Sequence, residues 1–422
     1  MKYCAFTIVA KNYIGLGQIL GSSLQIYNPE MDFKIFVADE FEHPMVNIPS
    51  CVVMAKDIVS FSEEEWTEMS FKYDLTEFCT SIKPSCFTHL FSKGYEKVIY
   101  FDPDIYIFSS IEEILSKLDL YDIALTPQIA GIHPTYNGEH PEWAMNVNGI
   151  FNLGFCAMRN SKQALIVLDW WQKRLKDNCF ADRSTGNFTD QKWMDWMPGL
   201  LGNESLYIFH HLGMNMAPWN YFERELYQEG DDICVKFRTD DNPQRHDKLI
   251  FIHFAGYDYQ KMKQGIISRK RIENLQEYND LKLATDIYQK AIIQNQHIFD
   301  AFINQKYSYA TYANGLPIAT FHRRLYHGLL EKEEQLFTSS PFSIGEGSFY
   351  NAILERKMIT EEKLEKFSRS NLPNMDKKKR IISWLFKTLY FAMGYKRYVL
   401  FVKSLYFYCR PEAHTFLLKH PK

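Results

Sequence analysis

The chain reads as an α/β protein built on a mostly parallel sheet, and three observations near its start say so. Residues 3–10 (Tyr-Cys-Ala-Phe-Thr-Ile-Val-Ala) form a short continuous apolar run, the mark of a strand buried on both faces. A helical stretch from Gly15 to Tyr27 follows. A second apolar strand, Phe33 to Ala38, then ends in Asp39. Strand–helix–strand alternation is the pattern of a parallel sheet.

The later elements extend this pattern. Leu75, Phe78, Cys79, Ile82, Phe87 and Leu90 recur near helical spacing and predict one helix over 73–94, stopped by Gly94. Lys97 to Phe101 is the next strand, with Asp102-Pro103-Asp104 at its carboxyl end. Ile123 to Pro127 is another, followed by a polar loop to about Val147. Phe151 to Met158 and Leu249 to Phe254 read as further strands. After Gly265 the pattern turns largely helical, opening on Arg269, Lys270 and Arg271. Tyr312 to Pro317 is a Gly/Pro turn, and Leu372-Pro373-Asn374 reads as a linker. The expected division is a first domain over 1–265, a mainly helical extension over 266–372 and a basic aromatic tail over 373–422.

Composition bounds the answer without choosing it. A chain of 422 residues can bury a large core and predicts two or three structural units. The aromatic content (32 Phe, 26 Tyr, 8 Trp) suits cores, sugar stacking and membrane interfaces alike. Eight scattered cysteines with no CxxC pair, mostly in apolar runs, predict free thiols in a reducing cytoplasm. Met1-Lys2-Tyr3 leads straight into the first strand, so no signal peptide is expected. From Lys377 to Lys422 eleven Lys or Arg face one acid, Glu412, a local charge of +10; with −3 overall, the rest carries −13. A basic tail on an acidic body predicts an anionic partner for the tail.

Ligands of open α/β sheets bind beyond the carboxyl ends of the strands, where this reading puts Asp102 and Asp104. Two carboxylates around a proline suit a hard divalent cation that bridges to phosphates. The same residues also read as a solvated turn. Ile250 to Gly256 is an apolar strand with one histidine, His253, and then a glycine that permits close backbone approach. Imidazole can complete an Asp/Asp/His site, and a lone His in a strand is also an ordinary core residue. Asn152, Asp190 and Gln191 could meet sugar hydroxyls or developing positive charge at an anomeric carbon. Asp190 reads equally as the cap of a helix over Gln191 to Met197.

Together and in this order these clusters resemble the GT-A glycosyltransferases, of the retaining, galactosyltransferase-like kind grouped with glycogenin and the bacterial lipopolysaccharide sugar transferases. The resemblance covers roughly residues 3–260. It rests on Ala10-Lys11-Asn12-Tyr13, Lys83-Pro84, Tyr100-Phe101-Asp102-Pro103-Asp104, Phe151-Asn152-Leu153-Gly154 and Asp190-Gln191, with His253 and Gly256. It implies a Rossmann-like mixed, mostly parallel sheet flanked by helices. It also implies a metal-dependent glycosyltransferase of the hexosyltransferase type, moving a sugar from a nucleotide diphosphate sugar, a UDP-sugar foremost, to a glycan or lipid-linked acceptor. Asp102, Asp104 and His253 match the ligands of Mn²⁺ or Mg²⁺. Ala10 and Tyr13 match the loop around the base, with Asp39 near the ribose or base. Lys83 matches a basic residue near the donor, and Asn152 and Gly154 the strand facing the donor sugar. Asp190 and Gln191 match the pair beside the anomeric carbon, and Gly256 and Lys261 match diphosphate contacts. The chain departs from the best-known members at Pro103, where a small residue is usual, at Lys83, where Arg is usual, and after His253, where Lys-Pro-Trp is absent. Bacterial surface-polysaccharide transferases carry similar Leu-Asp-Pro-Asp and His-Phe-Ser-Gly segments.

An Asp-x-Asp phosphatase is a weaker reading, because Tyr106 stands where Thr or Val is expected. An inactive scaffold of the same fold is the reading from another class. Arg269 to Arg271 and His322-Arg323-Arg324 read as phosphate contacts or solvated helix faces, and Trp219 as a cleft residue or a core one. The tail mixes lysines with Trp384, Phe386, Tyr390, Phe391, Tyr395, Tyr398, Phe401, Tyr406 and Phe407. It predicts interfacial helices on an anionic leaflet, and so a cytoplasmic protein peripheral to the inner face of the membrane; the alternative is a helical pair packed on the body. No nucleic-acid module is present, so nucleic acid is not an expected partner.

Overall fold

The apolar run near the start becomes an inner strand of a sheet. In the computed structural model, residues 2–41, 48–139, 141–238, 246–269, 278–332, 337–360 and 374–418 are described. Among them the strands are β1 (Tyr3–Val9), β2 (Asp32–Val37), β3 (Val52–Met54), β4 (Lys97–Phe101), β5 (Ile105–Ile107), β6 (Ile123–Pro127), β7 (Phe151–Arg159), β8 (Leu206–Ile208), β9 (Arg224–Glu229), β10 (Asp232–Phe237), β11 (His246–Lys248) and β12 (Phe251–His253). Seven form one sheet in the order β3-β2-β1-β4-β7-β6-β8. β3/β2, β2/β1, β1/β4 and β6/β8 are parallel; β7 runs antiparallel to β4 and β6. This is the mixed, mostly parallel sheet flanked by helices that the resemblance to GT-A enzymes implies.

The strand order places the crevice. β2 lies on one side of β1 and β4 on the other, so the chain switches direction of travel between β1 and β4. The carboxyl ends of two such strands open onto a shared cleft. Every residue of β4 is buried: Val98–Phe101 as a continuous apolar run, and Lys97 with its ammonium donating to Leu115 O.

Three expectations are corrected. The stretch 73–94 is two helices, Leu75–Ser81 and Lys83–Ser92, because Pro84 in the first turn of the second removes an N–H and disfavours helical backbone before it. The break puts Lys83 at a helix start, with its side chain buried. The polar loop before Val147 contains the helix Glu142–Asn148, entered through Pro141. The strand expected over Leu249 to Phe254 is shorter, Phe251–His253, and pairs antiparallel with β5. β9, β10 and β11 form a separate antiparallel sheet.

The chain divides into two compact units, Met1–Ser60 with Leu75–Ser308, and Phe61–Asp74 with Tyr309–Lys422. Residues 266–308, assigned to the extension in the sequence reading, group with the first unit, and 61–74 with the second. The boundary expected at 372/373 lies outside the described residues. In the first unit Gly15 lets the helix Ile14–Tyr27 approach the helix Gln296–Phe302 so closely that a Cβ there would lie 2.7 Å from the Phe299 backbone.

The second unit is helical. Its helix Glu63–Lys72 begins in a capping box between Ser62 and Glu65. Phe71 packs edge-on against Tyr326, Phe342 and Phe349. Arg323 donates to the carbonyls of Ser70, Phe71, Tyr73 and Tyr309, and Arg324 to that of Lys72. His322-Arg323-Arg324 is therefore neither a phosphate contact nor a solvated face; it is buried and satisfies backbone oxygens. The tail helix Met375–Tyr408 is broken at Gly394 (φ 74°, ψ 164°). The rings of Phe386 and Tyr398 lie 6.4 Å apart. A straight helix would separate them by about 18 Å, so the two halves fold back on each other. None of its residues is buried. Among the described residues no helix is long and apolar enough to cross a membrane.

Candidate active site

Asp102-Pro103-Asp104 is the turn between β4 and β5. The Asp102 N–H bonds the carbonyl of Gly154 (2.8 Å), continuing the β4–β7 ladder, and the Ile105 N–H closes the turn on Asp102 O (3.0 Å). The β5–β12 register then sets His253 opposite Ile105, and the Phe254 N–H bonds Asp104 O (2.8 Å). Two strand pairings thus bring His253 to the two aspartates, which are distant from it in sequence. His253 Nε2 lies 3.0 Å from Asp104 Oδ1 and 3.5 Å from Asp102 Oδ2. One ligand atom from each residue lies within 4.8 Å of the others.

The electrostatics follow from burial and this contact. Burial pushes the Asp102 carboxyl up, against the pull of His253 and Lys83. Burial opposes ionised Asp104 as well, but the charge and hydrogen bond of His253 hold it below the usual carboxylate range. Burial works against protonated His253, and the two aspartates outweigh it, raising His253 above its ordinary value.

A chain of contacts leads from this cluster to Asp190. The Tyr100 hydroxyl donates to Asp102 Oδ1 (2.5 Å). Lys83 Nζ sits 3.9 Å over the Tyr100 ring. The same ammonium donates to Leu153 O (2.8 Å) and to Asp190 Oδ2 (2.5 Å). Thr189 Oγ1 donates to the other Asp190 oxygen (3.1 Å). Asp190 makes no side-chain cap to the helix Gln191–Met194 that follows it, so the capping reading is set aside. Gln191 Oε1 accepts from the Leu153 N–H and Asn152 Nδ2, while its Nε2 donates to Asn148 O. Asn152 Oδ1 accepts from the Gly154 N–H and from Asn215 Nδ2. Gly154 has a steric reason: a Cβ there would stand 2.6 Å from the His253 ring.

The other expected residues make contacts of their own. The Ala10–Tyr13 turn follows β1, and burial and the Asp104 charge raise the Tyr13 phenol. Asp39 is enclosed, and its oxygens accept the N–H groups of Lys11 (2.8 Å) and Ser308 (3.1 Å), which fixes the loop after β1. Gly256 takes φ +78° just after β12. Arg269 is not a solvated residue: its guanidinium bonds Ala255 O and Glu139. Lys270 and Arg271 lie outside the described residues. Lys261 sits on the helix Tyr259–Lys263 with Nζ 3.4 Å from Ser268 Oγ.

Sequence reasoning missed Asn215 and gave Tyr100 no role. It leaned toward a core role for Trp219. The Trp219 ring meets His253 edge-on at 5.2 Å. Asn215 takes a positive φ of 53°, which Asn tolerates better than most residues. Three enclosed polar atoms here have no hydrogen-bond partner among the described residues: His253 Nδ1, Trp219 Nε1 and Asn215 Oδ1. Unpaired buried groups are costly and fit a site completed by a ligand.

No family model matches the chain. Two curated relatives come from Bacillus subtilis (strain 168). Uncharacterized protein YfnF is 23% identical over 310 residues, 72% of this chain and 96% of its own length. Uncharacterized protein YfnD is 22% identical over 256 residues, 60% of this chain and 76% of its own. Among solved structures, galactosyltransferase LgtC in complex with donor and acceptor sugar analogues is similar over 72% of this chain and 97% of its own, at 12% identity and TM-score 0.38. Mouse xyloside xylosyltransferase 1 matches over 60% and 98%, at 12% identity and TM-score 0.35. A glycosyltransferase involved in the glycosylation of the major capsid of PBCV-1 matches over 51% and 86%, at 9% identity and TM-score 0.30.

Proposed function

We propose that the chain is a metal-dependent glycosyltransferase that moves a sugar from a UDP-sugar or related nucleotide diphosphate sugar to a glycan or lipid-linked acceptor, with retention at the anomeric carbon. The observation that carries this reading is the Asp102/Asp104/His253 cluster at the carboxyl end of β4, joined through Tyr100 and Lys83 to Asp190. Two carboxylates and an imidazole are a donor set that suits Mn²⁺ or Mg²⁺. When bound, such an ion would neutralise a leaving diphosphate.

The chain's own residues supply the rest. Lys83 and Thr189 hold the Asp190 carboxylate in place, where it would stabilise positive charge developing at an anomeric carbon. Asn152 and Gln191, locked to each other and to backbone, position that end of the cleft. Tyr13 lies within the electrostatic reach of Asp104, and it is the residue expected to border the nucleotide. The stereochemical part of the reading comes from the resemblance to retaining enzymes. Asp104→Ala should abolish both hydrolysis of the UDP-sugar and transfer while moving the thermal midpoint by only a few degrees. Full activity in that variant contradicts the reading.

The second part of the proposal concerns the tail. Between 377 and 410 there are nine Lys or Arg and no acid, and the exposed side chains include Ile381, Trp384, Phe391, Tyr395, Leu400 and Tyr406. A second copy of the same hairpin would set like charges face to face. An anionic leaflet matches both the charge and the aromatic surface, so the tail docks the enzyme on the inner face of the cell membrane.

A further inference from the structure

We propose that Asn215 and Trp219 are positioning residues for His253, and that with one enclosed water they hold its ring so that Nε2 faces Asp102 and Asp104. This rests on the metal-cluster reading for what Nε2 does there, and it adds the residues that keep it there.

The imidazole has two nitrogens to satisfy. Nε2 meets Asp104 Oδ1 (3.0 Å) and Asp102 Oδ2 (3.5 Å). Nδ1 is enclosed without a hydrogen-bond partner among the described residues, and so are Trp219 Nε1 and Asn215 Oδ1. One chain of contacts joins these three groups. The Trp219 ring meets the His253 ring edge-on at 5.2 Å. The His253 N–H bonds the carbonyl of Met216 (2.8 Å), the residue after Asn215. A Cβ on Gly154 would stand 2.6 Å from His253 Nδ1 and 2.8 Å from Asn152 Oδ1, and Asn215 Nδ2 donates to that same Asn152 oxygen (3.1 Å). Glycine at 154 thus leaves the Nδ1 side of the ring open.

The chemistry of the three atoms chooses the occupant. Asn152 Oδ1 accepts the Gly154 N–H, so Asn215 turns its amide nitrogen toward that oxygen and toward Thr126 Oγ1 (2.8 Å). Its own Oδ1 is then a pure acceptor, and the Trp219 indole is a pure donor. A neutral imidazole that offers Nε2 to a cation carries its proton on Nδ1, which makes a second donor. A water accepts both N–H groups and donates an O–H to the amide oxygen. An anion would leave the amide oxygen unpaired, and a cation would leave both donors unpaired. The hydrogen bond made by the outer nitrogen sets the tautomer and direction of a metal-binding imidazole.

The test uses the full chain and the variants Trp219→Phe and Asn215→Gly. Phenylalanine keeps a ring against His253 and lacks the donor. Glycine keeps the positive φ of residue 215 and lacks the acceptor. Thermal midpoints serve as the check on folding. Wild-type crystals should show one water bonded to His253 Nδ1, Trp219 Nε1 and Asn215 Oδ1, and Trp219→Phe crystals should show the His253 ring displaced. Mn²⁺ affinity in the presence of UDP, read by electron paramagnetic resonance, should fall about tenfold or more in both variants. No water at the three atoms of the wild type, or unchanged Mn²⁺ affinity in a folded variant, overturns the proposal. The water and the displaced ring, in a wild type that binds no Mn²⁺, uphold the positioning role and instead contradict the metal reading.

Discussion

The Lys83 ammonium and the Asp190 carboxylate meet at 2.5 Å in the protein interior, with side chains 1% and 3% exposed. Removing one partner of such a pair leaves an unpaired buried charge, which costs about 3–5 kcal/mol. Lys83→Met should therefore lower unfolding free energy by that amount in a denaturant titration. Lys83→Met combined with Asp190→Leu should recover most of the loss, because neither charge then remains. A double variant no more stable than the single one would show that the pair is not the cause.

The second unit should be sensitive to acid through His327. Burial, with Lys72, Arg324 and Arg410 nearby, lowers this imidazole from 6.5 to about 3. Its folded value lies below its unfolded one, so the unfolded state binds the extra proton first. The stability contribution is complete above about 6.5 and is lost progressively as pH falls toward 3, on the order of 2–4 kcal/mol in all. Unfolding followed from pH 7 to 4 should show this slope, and His327→Leu should flatten it.

The tail hairpin should bind anionic membranes. Each basic residue near such a surface contributes about 1 kcal/mol. Replacing Lys377, Lys378, Lys379 and Arg380 with Gln should weaken co-sedimentation with phosphatidylglycerol vesicles by about a thousandfold at low salt, and phosphatidylcholine vesicles should retain little of the wild type. Equal binding to both vesicle types would contradict docking by charge.

The inner strands were legible because burial on both faces leaves a continuous apolar signature, and β1, β2, β4 and β7 all carry one. The three-residue strand β5 carries too little pattern to place, and β12 was legible only as the longer run Leu249 to Phe254. Yet their pairing is what delivers His253 to the aspartates. Pro84 was visible in the sequence, but its effect, a break that turns Lys83 inward, depends on where the helix packs. Asp190 looked like a cap because Asp before a helix usually is one; a buried lysine from a distant helix overrode that local preference. Asn215 carried no motif at all, and only the fold brings it to Asn152.

The most direct test of the central claim is calorimetric titration of UDP into the full chain with Mn²⁺ and again with EDTA, at pH 6 and pH 8. His253 is raised above its ordinary value and must lose its proton to act as a ligand, so Mn²⁺-dependent UDP binding should be present, tighter at pH 8 than at pH 6, and absent with EDTA. UDP binding of equal strength with and without Mn²⁺, or none in either case, would contradict the account.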